Sequence, residues 1–324
     1  MNAGGPTSGE ATQREASLDG LFRAERPRLW GLAYRLTGSA IDADDVVQET
    51  FTRLLDRPPA PGAAPLGPWL VRVATNLGID ALRRRKRRGY DGPWLPEPIE
   101  GADDDWAGAL AADEADPERR YGLVESASYA FLVALEALGP RQRAALLLRD
   151  VLGCSAREAA DLLGTSEANV RVLHLRARSA LAGYDARRCP PGPALRERHR
   201  VALERLIRCL LAQDADGLRE LFTESIRTVT DANGEYTALA KPLVGRDPVA
   251  RLYLMATLHR QAGDLRFEIR VVNGLPALLV ALGRPVRRQA PRSVMRCELD
   301  ESGRIRLIET LVAPKKLAAL RFPS

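Results

Sequence analysis

Apolar residues recur at helical spacing in three stretches of the first ninety residues. The spacing predicts one helix over 18–38 that ends at Gly38, a second from about Asp42 to Leu55, and a third from Trp69 to about Arg87. The proline-rich stretch 57–68 between the last two cannot be helical. The pattern therefore predicts a compact all-helical domain over residues 18–90.

A second helical segment over residues 121–187 contains a helix-turn-helix pattern. Ser155 and Glu158 have the spacing of a capping box, and Gly164 permits a tight turn. Thr165 or Ser166 would cap the second helix of the pair. That helix carries an apolar stripe on one face, formed by Val170, Leu173, Ala177 and Leu181.

The outward face of that second helix is suited to a DNA major groove. With the stripe inward, Glu167, Arg171, Leu175 and Arg178 point outward together, next to Ser166. Either arginine can bind a base edge or a phosphate. The alternative is an ordinary helical hairpin with exposed arginines, and His174 is expected to be a half-buried packing residue.

The chain changes character after the boundary "RRCPPGPA" at 187–194. One or two helices over 196–222 precede a strand, another helix begins at Asp247, and two β-rich runs are joined by Asn273-Gly274, a strong hairpin signal. Ser302-Gly303 is a second predicted turn. Helices followed by a meander predict an α+β domain with a curved sheet over residues 195–320.

Composition indicates a globular protein with an anionic partner. The 324 residues are 45% hydrophobic and 28% charged, with a net charge of +6. No apolar run is long enough to cross a membrane, so a cytoplasmic protein is expected. Residues 1–17 lack the features of a secretory signal and are expected to form a disordered tail.

The titratable residues give no pattern typical of a metal site or a catalytic centre. The four cysteines and three histidines lack metal-ligand spacing, so neither a metal nor a cofactor is expected. Asp247, His259 and Glu268 are the obvious acid–base candidates in the last domain, and His259 is better explained as a residue at a helix end. Catalysis is therefore not expected.

The stretch between the two helical domains has three parts. Six consecutive cations come first and are expected to hold nucleic-acid phosphates: Arg83, Arg84, Arg85, Lys86, Arg87 and Arg88. Trp94 then stands among prolines in a stiff, apolar segment. Residues 100–118 carry eight acidic side chains and no basic one. Residues 91–120 are therefore predicted to be a linker with an acidic spacer.

The first 185 residues resemble an extracytoplasmic-function sigma factor, a bacterial transcription initiation subunit. "DADDVVQETFTRLL" resembles the helix that docks on the RNA polymerase β′ subunit, which implies that Asp45, Gln48 and Glu49 bind polymerase. "GPWLVRVATNLGIDALRRRKRR" is similar to the promoter −10 reader and implies a DNA role for Asn76 and Asp80, and the alternative is that these two side chains satisfy backbone groups. The helix-turn-helix is similar to the −35 reader.

The later part resembles one subgroup of that family, in which a SnoaL-like domain is fused at the C-terminus. "GPWLPEP", "VVNGLPALLV" and "APKKL" carry this resemblance. It implies that Trp94, Leu95 and Pro96 insert against the last domain, which sets activity without a separate anti-sigma factor. The domain's pocket could hold a small ligand.

The chain departs from the subgroup at one loop. The subgroup has three glycines followed by a basic residue at this loop. This chain has "DANGEY" instead, which contains Asp231, Asn233 and Gly234. These three residues are candidates for signalling between domains. Two other functions stay open at this point: a one-component transcriptional regulator, or a SnoaL-like small-molecule enzyme with attached helices.

Overall fold

The structure is a computed structural model that describes residues 8–60, 65–100, 125–187, 191–261 and 264–323. It forms two compact units. The first contains the described residues 8–84 and 138–181, and the second contains 85–100, 125–137 and 182–323. Most of the acidic spacer, over residues 101–124, lies outside the described residues.

The helices, numbered along the chain, are α1 (Ser8–Thr37), α2 (Ala40–Asp56), α3 (Leu66–Arg88), α4 (Tyr129–Leu135), α5 (Pro140–Leu146), α6 (Ala156–Leu163), α7 (Glu167–Asp185), α8 (Pro193–Leu211), α9 (Ala215–Leu221) and α10 (Arg246–Gln261). A π-helical segment, Leu147–Val151, continues α5, and a 3₁₀ turn covers Pro314–Leu317. None of the helices in the described ranges is long and apolar enough to span a lipid bilayer.

The three predicted N-terminal helices form, with changes at two starts. Helix α1 begins at Ser8, ten residues before the predicted position. The added stretch is rich in Glu, Ala, Gln and Arg, which favour helix. Gly38 ends the helix in the left-handed region, with φ of 70°. Helix α3 begins at Leu66, so the prediction that 57–68 cannot be helical is wrong for 66–68, where Pro68 lies in the first turn and interrupts no intrahelical hydrogen bond.

The first unit is held together by close helix packing. A Cβ on Gly78 of α3 would lie 2.4 Å from Cδ2 of Leu36 in α1, so only glycine permits this approach. Arg143 of α5 is buried, and its guanidinium donates a 2.9 Å hydrogen bond to the Leu36 carbonyl at the end of α1. That bond satisfies one of the carbonyls that a helix end leaves without an intrahelical partner.

The helix-turn-helix forms as the sequence predicts. Ser155 Oγ accepts from the Glu158 amide at 3.1 Å, and the Ser155 amide donates to the Glu158 carboxylate at 2.7 Å. Gly164 has a φ of 58°, which gives the left-handed turn between α6 and α7. On α7, Val170, Ala177 and Leu181 are buried, whereas the predicted stripe residue Leu173 is only half-buried.

A six-stranded sheet organises the second unit. The strands are β1 (Phe222–Asp231), β2 (Leu243–Val244), β3 (Leu265–Val272), β4 (Leu275–Leu282), β5 (Arg292–Leu299) and β6 (Ile305–Leu311), in the order β2-β1-β6-β5-β4-β3. Only β1 and β6 pair in parallel. The predicted hairpin at Asn273-Gly274 and the turn at Ser302-Gly303 are both confirmed.

Both faces of this sheet are covered. On β4, Leu278 and Val280 pack with α8, α9 and α10, whereas Ala277 and Leu279 belong to a second cluster on the other face. That second cluster includes Leu95 from the segment after α3. A strand covered on both faces is continuously apolar, which explains the run "LPALLVAL".

Candidate nucleic-acid interface

Helix α2 presents a polar face of predicted residues. Asp45, Gln48 and Glu49 are exposed, and Val46, Val47 and the other inward residues are buried. Glu49 pairs with Arg53 of the same helix at 2.8 Å, an exposed ion pair that adds little stability. The carboxylates of this face are thus available to a cationic surface.

Two large apolar side chains extend this face of α2, and the sequence analysis did not single them out. Ile41 is 50% exposed and Leu55 is 63% exposed. Ile41, Asp45, Gln48 and Thr52 follow one another at intervals of three or four residues, which places them on one side of the helix. The face therefore offers apolar area beside its carboxylates.

Asn76 and Asp80 lie on one exposed side of α3, one turn apart, as expected. Asn76 Nδ2 donates to the Arg72 carbonyl at 2.9 Å, and the Asp80 carboxylate pairs with Arg83 at 3.0 Å. Both side chains are thus engaged by their own helix while facing outward. A nucleotide could exchange with these partners, because both are exposed.

The cationic run at the end of α3 does not act as one surface. Arg83, Arg84, Lys86, Arg87 and Arg88 are exposed, whereas Arg85 is half-buried. The Arg85 guanidinium lies 3.8 Å from the Trp94 ring centroid and forms an ion pair with Glu136. Arg85 is therefore committed to the protein interior, and its five neighbours form the cationic surface.

The outward face of α7 matches the prediction. Ser166 Oγ accepts from the Asn169 amide at 3.2 Å and caps the helix. Leu175 is 70% exposed, and Arg171 is exposed in a 2.7 Å ion pair with Glu167. An exposed arginine next to an exposed apolar side chain on a recognition helix can contact a base edge and a thymine methyl group.

Asp150 contacts two polar side chains of α7, His174 and Arg178. One carboxylate oxygen lies 2.8 Å from His174 Nε2 and the other lies 2.8 Å from Arg178 Nε. Asp150 belongs to the π-helical segment, 24 residues before His174 in the chain, so no local pattern could have revealed it. Although His174 is half-buried as predicted, its ring makes a polar contact with Asp150.

Asp231 is the centre of a buried network in the second unit. It has no exposed surface, and its carboxylate accepts hydrogen bonds from Tyr90 Oη at 2.5 Å, the Leu95 amide at 2.7 Å and Lys316 Nζ at 2.8 Å. Three donors compensate the cost of burying a carboxylate. We call Tyr90, Trp94, Leu95, Asp231 and Lys316 the linker anchor.

Lys316 joins the parts of the linker anchor. Its ammonium also donates to the Leu95 carbonyl at 2.6 Å and lies 4.2 Å from the Trp94 ring and 4.5 Å from the Tyr90 ring. Burial lowers the pKa of Lys316 to about 8, against the opposing attraction of Asp231. Burial and the hydrogen bond to Asp231 raise the pKa of Tyr90 well above its usual range.

The segment after Trp94 is tethered at further points. Leu95 and Pro96 are buried, and Tyr129 Oη donates to the Pro96 carbonyl at 3.1 Å. The Ile99 amide donates to Asn273 Oδ1 at 3.1 Å, and the Asn273 amide donates back to the Ile99 carbonyl at 2.9 Å. The described part of the linker is thus a strand-like strap on the sheet.

The other two signalling candidates of the "DANGEY" loop, Asn233 and Gly234, lie beside this strap. Asn233 and Gly234 have φ of 46° and 71°, the left-handed backbone of a turn. A Cβ on Gly234 would lie 2.5 Å from an Asp91 carboxylate oxygen. Asp231 thus holds the strap directly, whereas Gly234 leaves space for it.

The three acid–base candidates do not converge. Asp247 pairs with Arg219 at 2.7 Å and Glu268 pairs with Arg270 at 2.6 Å, and each arginine lowers the pKa of its carboxyl partner. His259 Nδ1 lies 2.7 Å from the Met255 carbonyl of its own helix. Among the described residues, no group of His, Cys, Asp and Glu could hold a metal ion.

A cavity of about 580 Å³ opens on the helix-covered face of the sheet. Its walls are mainly apolar and come from α8, α10 and strands β3, β4 and β5. Its size lies within the usual range of about 300–1,000 Å³ for sites that bind small molecules. Of the three acid–base candidates, only His259 lines it.

Two helical modules with exposed cations, one of them a helix-turn-helix, define a DNA-binding protein with an attached α+β domain. Residues 21–88 match the model of Sigma-70 region 2, and residues 128–181 match that of Sigma-70, region 4. The chain belongs to the extracytoplasmic-function RNA polymerase sigma factors. Sigma factors bind core RNA polymerase and promoter DNA.

The relatives support this membership over most of the chain. It is 36% identical to the sigma factor SigJ of Mycobacterium tuberculosis, over 78% of each chain. It is 35% identical to SigG of the same species, over 82% of this chain and 74% of that one. The crystal structure of M. tuberculosis SigJ has 28% identity and a TM-score of 0.69, with 94% of this chain and 99% of that chain covered. The C-terminal α+β domain is the part of the chain that the sequence resemblance predicts to be SnoaL-like, and we keep that name for it.

Proposed function

We propose that α2 binds the β′ subunit of core RNA polymerase through Asp45, Gln48 and Glu49. Their shared exposure supports this role, as do the apolar side chains of Ile41 and Leu55. An interface with an apolar area and a polar rim is typical of protein association. The carboxylates would select a cationic partner and speed the encounter.

The DNA roles divide between the two helical modules. Residues 18–90 would open and hold the −10 element through Asn76, Asp80 and the exposed cations of the run. Residues 121–187 would bind the −35 element through Ser166, Glu167, Arg171, Leu175 and Arg178. Arg178 would have to exchange its contact with Asp150 for a phosphate or base.

The SnoaL-like domain would control promoter use through the linker anchor. The observation that carries this proposal is the contact series from Asp231 to Lys316, from Lys316 to Trp94, and from Trp94 to Arg85 in the last turn of α3. A change in the domain that released Lys316 would loosen Trp94 and so remove one of the contacts that hold Arg85, whose ion pair with Glu136 is another. Asn233 and Gly234 would keep the loop open for the strap.

The domain would act as a binding module, not as an enzyme. The separation of Asp247, His259 and Glu268 supports this view, and the proposed partners place the chain in the cytoplasm. Control by the chain's own domain would replace a separate anti-sigma factor. The absence of a separate anti-sigma factor stays a prediction. The domain boundaries at residues 90, 120, 187 and 195 also stay predictions.

Charge reversal on α2 tests polymerase binding. We expect D45R to weaken binding to core RNA polymerase at least about tenfold, because a like charge then faces the cationic partner. D19R, an exposed acid on α1, should bind as the wild type does. Binding can be measured by fluorescence anisotropy at two salt concentrations, followed by mapping of transcript starts.

Unchanged binding of D45R would contradict the assignment of α2. If neither the wild type nor D19R supports a sequence-dependent start with core polymerase, the proposed function itself is wrong.

A further inference from the structure

The cavity of the SnoaL-like domain has features that select a particular class of ligand. Its apolar walls reach into the core, where Leu278, Val280 and Met295 of the sheet face Leu210 and Tyr253 of the helices. Burial of apolar ligand surface against such walls would supply most of the binding energy, at about 25 cal/mol per Å² before the costs of association.

A chain of three hydroxyls lies at the inner wall. Tyr253 Oη is 2.7 Å from Thr228 Oγ1 and 3.2 Å from Thr310 Oγ1, and both Tyr253 and Thr310 line the cavity. Thr228 has no exposed surface, so its proton must go to Tyr253 if it is not to be buried without an acceptor. Tyr253 and Thr310 form a further hydrogen bond in which either oxygen can donate.

Thr310 lines the cavity, so its hydroxyl can contact a ligand as well as Tyr253 Oη. A hydroxyl donates one hydrogen bond and accepts two, which leaves Thr310 with capacity for a ligand group that can both donate and accept. A hydroxyl at the inner end of the ligand has that property.

The mouth of the cavity is cationic and apolar. The loop between β4 and β5 contributes Arg287 and Arg288, both exposed and lining the cavity. Neither guanidinium is paired with a carboxylate within the described residues. Three apolar side chains that line the cavity are also exposed: Val286 is 71% exposed, Leu211 44% and Phe267 39%.

We propose that this cavity binds an amphipathic organic anion with an apolar body, a hydroxyl at its inner end and a carboxylate at the mouth. The body fills the space between sheet and helices, the Thr310 hydroxyl forms a hydrogen bond with the inner hydroxyl, and Arg287 and Arg288 hold the carboxylate. Two guanidinium groups suit a carboxylate because each can donate two parallel hydrogen bonds.

Such a ligand would be the signal that the SnoaL-like domain reads, and this consequence rests on the proposed function. Occupation of the cavity would affect β1 and β6, because Thr228 and Thr310 belong to these neighbouring strands. The same two strands end at Asp231 and Leu311, which are register partners. The inner wall of the cavity is thus continuous with the linker anchor.

Displacement of 8-anilinonaphthalene-1-sulfonate from the full-length protein tests the proposal. Decanoate should displace the dye at concentrations at least about tenfold lower than decyltrimethylammonium, since charge-assisted hydrogen bonds favour the anion. 10-Hydroxydecanoate should bind more tightly than decanoate, and T310V should remove that gain. The double variant R287Q/R288Q should lose the preference for the anion.

Arg284 provides the matched control, because it is exposed in the same loop but does not line the cavity. R284Q should keep the preference for decanoate, and A256W, which fills the cavity from α10, should abolish dye binding. Equal displacement by anion and cation, or an R287Q/R288Q variant that behaves as R284Q does, would overturn the proposal. No polymerase is present, so binding and transcriptional control are judged separately.

Discussion

At the residue scale, the second unit relies on buried polar groups whose partners are far away in sequence. Asp231 binds Lys316 and Tyr90, and Arg296 pairs with Glu309 at 3.1 Å in the core. His199 of α8 is a further case, since it is 4% exposed with Nδ1 3.8 Å from Cys297 Sγ. Removal of one member of such a set leaves an uncompensated group, at a cost of about 3–5 kcal/mol for a buried charge.

His199 makes the stability of the SnoaL-like domain sensitive to acid. Burial, assisted by Arg296 and Arg198, lowers the pKa of His199 to about 4. Because the unfolded chain takes up this proton near pH 6.5, the free energy of unfolding should fall by about 1.4 kcal/mol per pH unit below that value, until the folded pKa is reached. H199Q should remove this slope.

Hydrogen exchange of the β4 and β5 amides at pH 6.5, 5.8 and 5.0, corrected for intrinsic rates, measures the effect in this domain alone. If H199Q and the wild type lose protection equally over that range, His199 is not the titrating group.

Asp150 should lower the affinity of the helix-turn-helix module for DNA. D150N removes the negative charge beside His174 and Arg178, so the outward face of α7 attracts a phosphate more strongly. We expect tighter binding at low salt and a plot of log K against log salt that is steeper by about 0.9. D161N on α6, an exposed acid, serves as the control in the same titration. Weaker binding by D150N would instead mean that Asp150 positions Arg178 for DNA.

At the element scale, the cationic end of α3 serves two purposes. Five of its cations face solvent, and Arg85 turns toward Trp94 and Glu136. The helix therefore ends both as an exposed cationic surface, for which we propose DNA binding, and as the first attachment of the strap. A cation over an indole contributes about 0.5–2 kcal/mol, so this attachment can be released.

Paired variants separate these two purposes. R87Q should reduce the salt slope of DNA binding by about 0.9, because one phosphate contact is lost. R85Q should leave that slope unchanged and increase hydrogen exchange at the Leu95 and Ile99 amides. The salt slope is measured by titrating each protein with a promoter fragment at several salt concentrations. Hydrogen exchange is measured on the free protein. Equal salt slopes for R85Q and R87Q would contradict the division of the run.

The sequence allowed most elements to be predicted but few of their contacts. Helix periods, the Ser155–Glu158 box and the Asn273-Gly274 turn are local signals, and the structure confirms each. The ion pair of Lys316 with Asp231 spans 85 residues, and the Tyr90 bond to Asp231 spans 141. Family resemblance brought attention to Asp231, but no periodicity could pair it with Lys316.

The contact of Arg85 with Trp94 could not be predicted from the sequence either. All six cations belong to one uninterrupted helical run, and only the position of Trp94 distinguishes one of them. The start of α1 was missed although its signal is local. Residues 8–17 were interpreted as a tail, but their Glu, Ala, Gln and Arg favour helix.

At the scale of the whole molecule, the described parts of the segment between the two helical modules belong to the second unit, for which we propose a regulatory role. The second unit includes residues 85–100 and 125–137 together with the SnoaL-like domain. A truncation near residue 205 would cut through α8 and expose Leu95 and Tyr129, which are buried by the sheet. A point variant in the linker anchor is therefore a cleaner test of control than a truncation.

In vitro transcription from a cognate promoter with purified core RNA polymerase, comparing the wild type, K316M and K315M, tests the central claim most directly. K316M removes the ammonium that holds Asp231, Leu95 and Trp94, whereas Lys315 is exposed and serves as the matched control. We predict that K316M changes promoter-specific transcript by at least about threefold, since loss of one partner from a buried pair frees the strap, and that K315M does not. Identical output from all three proteins would contradict control through the linker anchor.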